Sequence, residues 1–178
     1  VCEGFPGETT ETECINSGGT WKVGCIDCPV GKYSAEGSGA LDDCLPCGAG
    51  KYSEITPISE SECIPCIVGK YLEGTGSSAV SDCIKCEAGK YSGTVGSHTV
   101  NNCIPCMDGY ASSQEGRGEQ CPPCEAGKYS KASNEECEDC PIGKFSDGEA
   151  NPTCINCPRG KYVDVTGSDA EGDCIKCE

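Results

Sequence analysis

Nine C-x-x-C pairs, opening at Cys25, Cys44, Cys63, Cys83, Cys103, Cys121, Cys137, Cys154 and Cys174, recur along this chain at steps of 16 to 20 residues. Self-similarity at a fixed period marks a repeat architecture, in which each unit is too small to bury a core and leans on its neighbours. The pairs use all but two of the 20 cysteines; Cys2 and Cys14 complete the set. Little else is available to hold the chain together. Leu, Ile, Val and Phe number 25 of 178 residues, a share that normally leaves a charged chain disordered, because burial does not offset the entropy of ordering the backbone. Cross-links take the place of a core. A bridge closing a loop of about 15 residues contributes roughly 3 kcal/mol in the chain-entropy account, and bridges at this density persist in oxidising compartments. The expected location is therefore extracellular or at the cell surface.

The loops between pairs share more than cysteine. Glycine stands three places after each second cysteine that opens a loop, at Gly31, Gly50, Gly69, Gly89, Gly109, Gly127, Gly143 and Gly160. A glycine at fixed offset from a cross-link points to a turn with positive φ or a close backbone approach. Lysine and an aromatic follow it in all loops but the fifth, which reads Gly109-Tyr110. The aromatics Tyr33, Tyr52, Tyr71, Tyr91, Tyr110, Tyr129, Phe145 and Tyr162 are the expected mini-core of each repeat, packed over a disulfide and an aliphatic. Polar stretches such as Glu36-Gly37-Ser38-Gly39 read as surface loops. The expected fold is a small, disulfide-rich, mostly irregular structure with short β-hairpins and almost no helix, stacked into an elongated tandem-repeat rod. Residues 25–178 form eight repeats of about 16–20 residues, and residues 1–24, with the single Trp21, stand apart as an atypical N-terminal cap or junction unit.

Net charge is −16, which disfavours nucleic acid and anionic membrane surfaces, since both are bound through clustered Lys and Arg. No apolar run reaches the 18 or so residues of a membrane span, so no membrane insertion is expected in this segment. Val1 followed directly by Cys2 reads as a processed product or a segment of something longer.

The unit C-x-x-C-x-x-G-K-Y, with the next C-x-x-C about 16 residues on, resembles the ephrin-receptor-like cysteine-rich repeat, which is related in pattern to tumour-necrosis-factor-receptor modules. The resemblance spans residues 25–178. It implies an extracellular setting, an elongated form and protein contacts, and carries no implication of kinase activity. Long arrays of this kind resemble those of large extracellular surface or filament proteins of protists and algae.

Two connectivities fit the spacing. In the first, each second cysteine bonds forward to the first of the next pair: Cys28–Cys44, Cys47–Cys63, Cys66–Cys83, Cys86–Cys103, Cys106–Cys121, Cys124–Cys137, Cys140–Cys154 and Cys157–Cys174. Cys14 then pairs with Cys25, and Cys2 and Cys177 are left as candidates for an intermolecular bridge. In the second, adjacent pairs cross first to first and second to second, as in Cys44–Cys63 with Cys47–Cys66, and all 20 cysteines close. The uniformity of the G-K-Y loops favours the first; spacing alone leaves both open.

The C-x-x-C spacing also matches structural zinc sites. Five four-thiolate sites would add about ten negative charges to an already acidic chain, and the sequence supplies one histidine. Redox chemistry at C-x-x-C needs a thiolate activated at a helix N-terminus, whereas these pairs lead into glycine turns. His98 sits in a polar loop, and nothing singles out a carboxylate pair, so neither a catalytic residue nor a cofactor is expected. Ca²⁺ is admitted by the acids Asp164, Asp169, Glu171 and Asp173, which lack calcium-loop spacing. The motif lysines read as partners of acids on adjacent loops. Asn151-Pro152-Thr153 carries the proline that blocks N-glycosylation.

Two functions fit. One is an extracellular structural protein, a spacer or a subunit of a filament or coat, with protein partners that include further copies of itself in a head-to-tail polymer. The other is a ligand-binding ectodomain segment of a receptor, whose site would fall where the repeat departs from pattern, at residues 106–124 or around Trp21.

Overall fold

The computed structural model describes residues 28–34, 41–55 and 59–178, together with the backbone of 13–15 and 21–23. Among the described residues sixteen short strands pair as eight antiparallel hairpins, and there is no α-helix, only five single 3₁₀ turns. The fold is thus the small, disulfide-rich, irregular one expected. The chain divides into two compact units, one of Val1–Cys66 with Leu72–Cys83 and one of Ile67–Tyr71 with Ile84–Glu178.

The first unit holds three hairpins: β1 (Glu13–Ile15) with β2 (Trp21–Val23), β3 (Lys32–Ser34) with β4 (Cys44–Pro46), and β5 (Lys51–Tyr52) with β6 (Ile64–Pro65). The second holds five: β7 (Lys70–Tyr71) with β8 (Ile84–Lys85), β9 (Lys90–Tyr91) with β10 (Ile104–Pro105), β11 (Lys128–Tyr129) with β12 (Glu138–Asp139), β13 (Lys144–Phe145) with β14 (Ile155–Asn156), and β15 (Lys161–Tyr162) with β16 (Ile175–Lys176). From β3 onward every hairpin joins the Lys-aromatic dipeptide of one loop to the two residues inside the next C-x-x-C pair.

The glycine before each lysine explains how the chain enters the hairpin. The Lys90 amide donates to the Glu87 carbonyl at 3.2 Å, and Gly89 between them has φ +74°. This is the third position of a type II turn, which side chains with a Cβ resist. The acid or amide before the next cysteine has an equally local task. Asp82 caps the 3₁₀ turn Val80–Asp82 by accepting from the amides of Ser78 and Ala79, both at 3.2 Å, and Asp173 accepts from Ala170 at 3.3 Å.

Neighbouring loops are then joined through backbone. In the second unit the amides of Gly69, Gly89, Gly109, Gly127 and Gly143 donate to the carbonyls of Ser92, Ser112, Ser130, Ser146 and Val163, one loop further on. Contacts also reach back to the cysteine that opens the preceding loop: Gly116, Ser133, Ala150 and Gly167 donate to the carbonyls of Cys86, Cys106, Cys124 and Cys140. The first unit does the same through Gly31 to Ser53, Gly50 to Leu72 and Gly76 to Cys47. Backbone groups left unpaired in so small a structure would each cost as much as a lost hydrogen bond, and here the repeats satisfy one another.

Candidate interaction surface

Eight disulfides are present among the described residues: Cys28–Cys44, Cys47–Cys63, Cys66–Cys83, Cys86–Cys103, Cys106–Cys121, Cys124–Cys137, Cys140–Cys154 and Cys157–Cys174. Each runs from a second cysteine to the first of the next pair, and no crossed bridge occurs among them. Six of the second cysteines, from Cys47 to Cys140, are at most 1% exposed, so the sulfurs form the interior that apolar side chains do not. With their sulfurs spent in bridges, these sixteen cysteines offer no thiolates to zinc. Cys177 is unbridged and exposed. Cys2, Cys25 and the side chains of Cys14 and Trp21 lie outside the described residues.

The aromatics pack as partial covers over this interior. Tyr52 lies on a cluster of Cys66, Leu72 and Cys83. Tyr33, Tyr71, Tyr91 and Tyr129 are half-buried, Phe145 is buried at 4% and Tyr162 is 42% exposed. Opposite them across the hairpins stands an aliphatic: Leu45 with Tyr33, Ile64 with Tyr52, Ile84 with Tyr71, Ile104 with Tyr91, Ile155 with Phe145 and Ile175 with Tyr162. These six aliphatics are 43–51% exposed. A branched apolar side chain left half in water at the same register of successive repeats is surface available to a partner.

Two loops break the register. In the sixth, Glu138 replaces the aliphatic and its carboxylate accepts from the Tyr129 hydroxyl at 2.7 Å, which holds that phenol above its ordinary value. In the fifth, the Gly109 carbonyl accepts from Cys124 just as Gly89 accepts from Cys106, so the positions can be matched one by one. Tyr110 bridges Pro123 and thereby occupies the lysine register, half-buried. Ala111 donates to the Pro122 carbonyl at 3.2 Å and occupies the aromatic register. The Tyr–Ile pair of other loops is here an Ala–Pro pair. Beside it lies an open groove of about 640 Å³, lined in part by Ser112, Pro122, Pro123, Glu125, Glu135 and Glu136.

The motif lysines meet acids at the surface: Lys51 with Glu60 at 3.4 Å, Lys90 with Glu87 at 2.9 Å, Lys128 with Asp139 at 2.8 Å and Lys161 with Glu171 at 3.6 Å. The hydrogen bond from Lys90 holds the Glu87 carboxyl below its ordinary value, and that to Asp139 holds Lys128 above its own. Exposed pairs of this kind are worth little individually. His98 is exposed, as are Asp164, Asp169, Glu171 and Asp173. Among the described residues, no three His, Cys, Asp or Glu side chains gather as a metal cage, and no helix is long and apolar enough to cross a membrane.

Tandem hairpins stapled loop to loop, with a sulfur interior and an exposed aliphatic in six of the repeats, define a cysteine-rich repeat protein of the extracellular kind, a module class that acts through protein contacts. The family model described as tyrosine-protein kinase ephrin type A/B receptor-like matches residues 37–83 and 127–174, more than half of the chain. The chain belongs to this ephrin-receptor-like family. A search of curated proteins found no match.

Proposed function

We propose that this chain is an extracellular structural protein, a disulfide-stapled spacer or a subunit of a filament or coat, that works through protein–protein contacts. In this reading residues 25–178 act as eight tandem repeats and residues 1–24 as a cap or junction. The observation that carries it is the recurrence of the half-exposed aliphatics Leu45, Ile64, Ile84, Ile104, Ile155 and Ile175 at one register. A chain that buried them internally would have nothing to offer a partner, and one that used a single binding site would have no need to repeat them. The exposed thiol of Cys177 supports a covalent link to Cys2 of another copy in a head-to-tail polymer.

Light scattering of the oxidised chain across concentration, with peptide mapping under non-reducing conditions, tests the reading. Concentration-dependent assembly and a Cys2–Cys177 peptide from two copies are expected. A chain that stays monomeric at all concentrations with Cys177 in an intrachain bridge overturns it. A second reading, a ligand-binding ectodomain segment, is favoured by the groove at Ala111 and Pro122, where the repeat gives up its aromatic pair.

A further inference from the structure

Two hairpins of the second unit depart from a pairing that the other hairpins from β3 onward keep. The motif lysine lies across from the last residue inside the next C-x-x-C pair. That residue is proline opposite Lys32, Lys51 and Lys90, aspartate opposite Lys128 and asparagine opposite Lys144. In β7–β8 and β15–β16 it is a second lysine, with Lys70 facing Lys85 and Lys161 facing Lys176. Residues directly opposite share a face of the hairpin, and like charges placed so destabilise it. The register sharpens the conflict. The Cys86 amide donates to the Gly69 carbonyl at 2.8 Å and the Cys177 amide to Gly160 at 2.9 Å. Each lysine pair therefore falls at the adjacent non-hydrogen-bonded position, where side chains come closest.

The chain compensates each pair only by half. Lys85 reaches Glu115 at 3.9 Å and Lys161 reaches Glu171 at 3.6 Å. Among the described residues Lys70 and Lys176 are in no ion pair, so each hairpin sets two ammoniums against one carboxylate. The fold does not require this, because Lys85 and Lys176 are exposed and proline, aspartate or asparagine serves at the same place elsewhere. Two ammoniums on one face suit an anion with two oxygens, each taking a charge-assisted hydrogen bond. The chain is itself rich in that anion, with 29 Asp and Glu against 13 Lys and Arg. Copies that carry −16 each repel one another, so a contact between them calls on cations that no acid of the same chain has taken.

We infer that the β7–β8 and β15–β16 hairpins are carboxylate clamps, through which one copy of this chain holds exposed acids of another. The inference rests on the self-associating array proposed above and names the polar contact that such an array would use. The other hairpins are not equivalents, because each places a single lysine opposite a neutral or acidic residue.

The test is sedimentation velocity of the full oxidised chain across concentration, with Cys177→Ser in every sample so that no covalent link hides a weakened contact. Association of this reference chain is expected, and about 0.5 M NaCl should weaken it by screening. K85Q/K176Q should weaken association at least about tenfold, as loss of one partner from an interfacial charge contact does. Glutamine keeps most of the carbon stem that Lys85 lays over Gly116. The melting midpoint should be unchanged or raised, since opposed like charges are relieved. K51Q/K90Q removes as many charges from lysines that face proline and should leave association within about twofold, because exposed pairs within one chain contribute little. Association that K85Q/K176Q leaves intact, or that both double variants weaken equally, overturns the clamps and leaves the array reading standing. A reference chain that stays monomeric while the chain with Cys177 polymerises has the same meaning. A chain that is monomeric with and without Cys177 overturns the clamps and the array together.

Discussion

The amide of Gly116 donates to the carbonyl of Cys86 at 2.7 Å, reaching back to the cysteine that opens the preceding disulfide loop. The same reach sets how closely the glycine turns are covered. A Cβ added at Gly69 would collide with the Gly116 carbonyl, and one at Gly109 with the carbonyl of Ala150, whereas at Gly160 it would meet nothing. All three have positive φ, between +78° and +82°.

Gly109→Ala should therefore be the more damaging of a matched pair. Alanine in the left-handed region costs about 1–2 kcal/mol, and Gly160→Ala should lose no more than that. At Gly109 the clash with backbone adds about 1–3 kcal/mol of overpacking. Denaturant melts of the oxidised variants check this, with Gly109→Ala expected at the lower midpoint.

The aromatic register provides a second contrast. Phe145 is 4% exposed and Tyr162 is 42% exposed, though both occupy the same place in their repeats. Phe145→Ala should cost about 3 kcal/mol, near the low end for a core aromatic, and Tyr162→Ala about 1 kcal/mol at most. Equal losses at the two positions would mean that the exposed ring is covered in solution.

The difference between these two rings shows where the sequence stops being informative. The C-x-x-C period and the G-K-Y motif pointed to a sulfur interior, hairpins and the near absence of helix, because those depend on residues inside one repeat. How deeply each ring sits depends on the loop placed over it, which a single repeat does not encode. The contact of Gly31 with the backbone around Gly76 was hidden for the same reason: it joins residues two loops apart through carbonyls that every residue type carries. The shift at Tyr110 did leave a signal. Ser53, Ser92, Ser130 and Ser146 stand three places after their glycines, as Ser112 does after Gly109, which puts Ala111 and not Tyr110 in line with the rings. Aligning on the aromatic passes over it, and with it the groove.

The Tyr129–Glu138 bond predicts an alkaline transition. The phenol is raised chiefly by donating to the carboxylate, with burial and charge repulsion adding to it. A group whose folded value lies above its unfolded one stabilises the fold fully below the unfolded value, about 10 for tyrosine, and loses that contribution as pH rises through the folded value. Lys128 beside it is raised by Asp139 and acts in the same direction. With tyrosine labelled with ¹³C at Cζ, the Tyr129 phenol should titrate above its ordinary value, and Glu138→Gln should lower its midpoint. A Tyr129 midpoint that Glu138→Gln leaves unchanged would overturn the assignment.

The sixth and seventh loops are the shortest between the described bridges, with separations of 13 and 14 residues against 15 to 17 elsewhere, and they strain to make the contact with the opening cysteine of the preceding loop. Where the third, fifth and eighth loops use Gly76, Gly116 and Gly167, these two place Ser133 at φ 69° and Ala150 at φ 58°. Both still donate, at 3.0 Å to Cys106 and 2.8 Å to Cys124. Ala150→Gly should then stabilise the chain, against the usual direction for that exchange. Relief of the left-handed conformation is worth about 1–2 kcal/mol, and the added freedom of glycine in the unfolded chain takes back about 0.4–1 kcal/mol. A net gain of about 0.5–1 kcal/mol follows from the two, visible as a higher denaturant midpoint. Gly116→Ala makes the reverse exchange in a loop that already has the glycine, where the added Cβ also meets the Lys85 side chain at 3.1 Å, and should be destabilising. Opposite signs for the two variants would show that the contact, and not the residue, is what the repeat maintains.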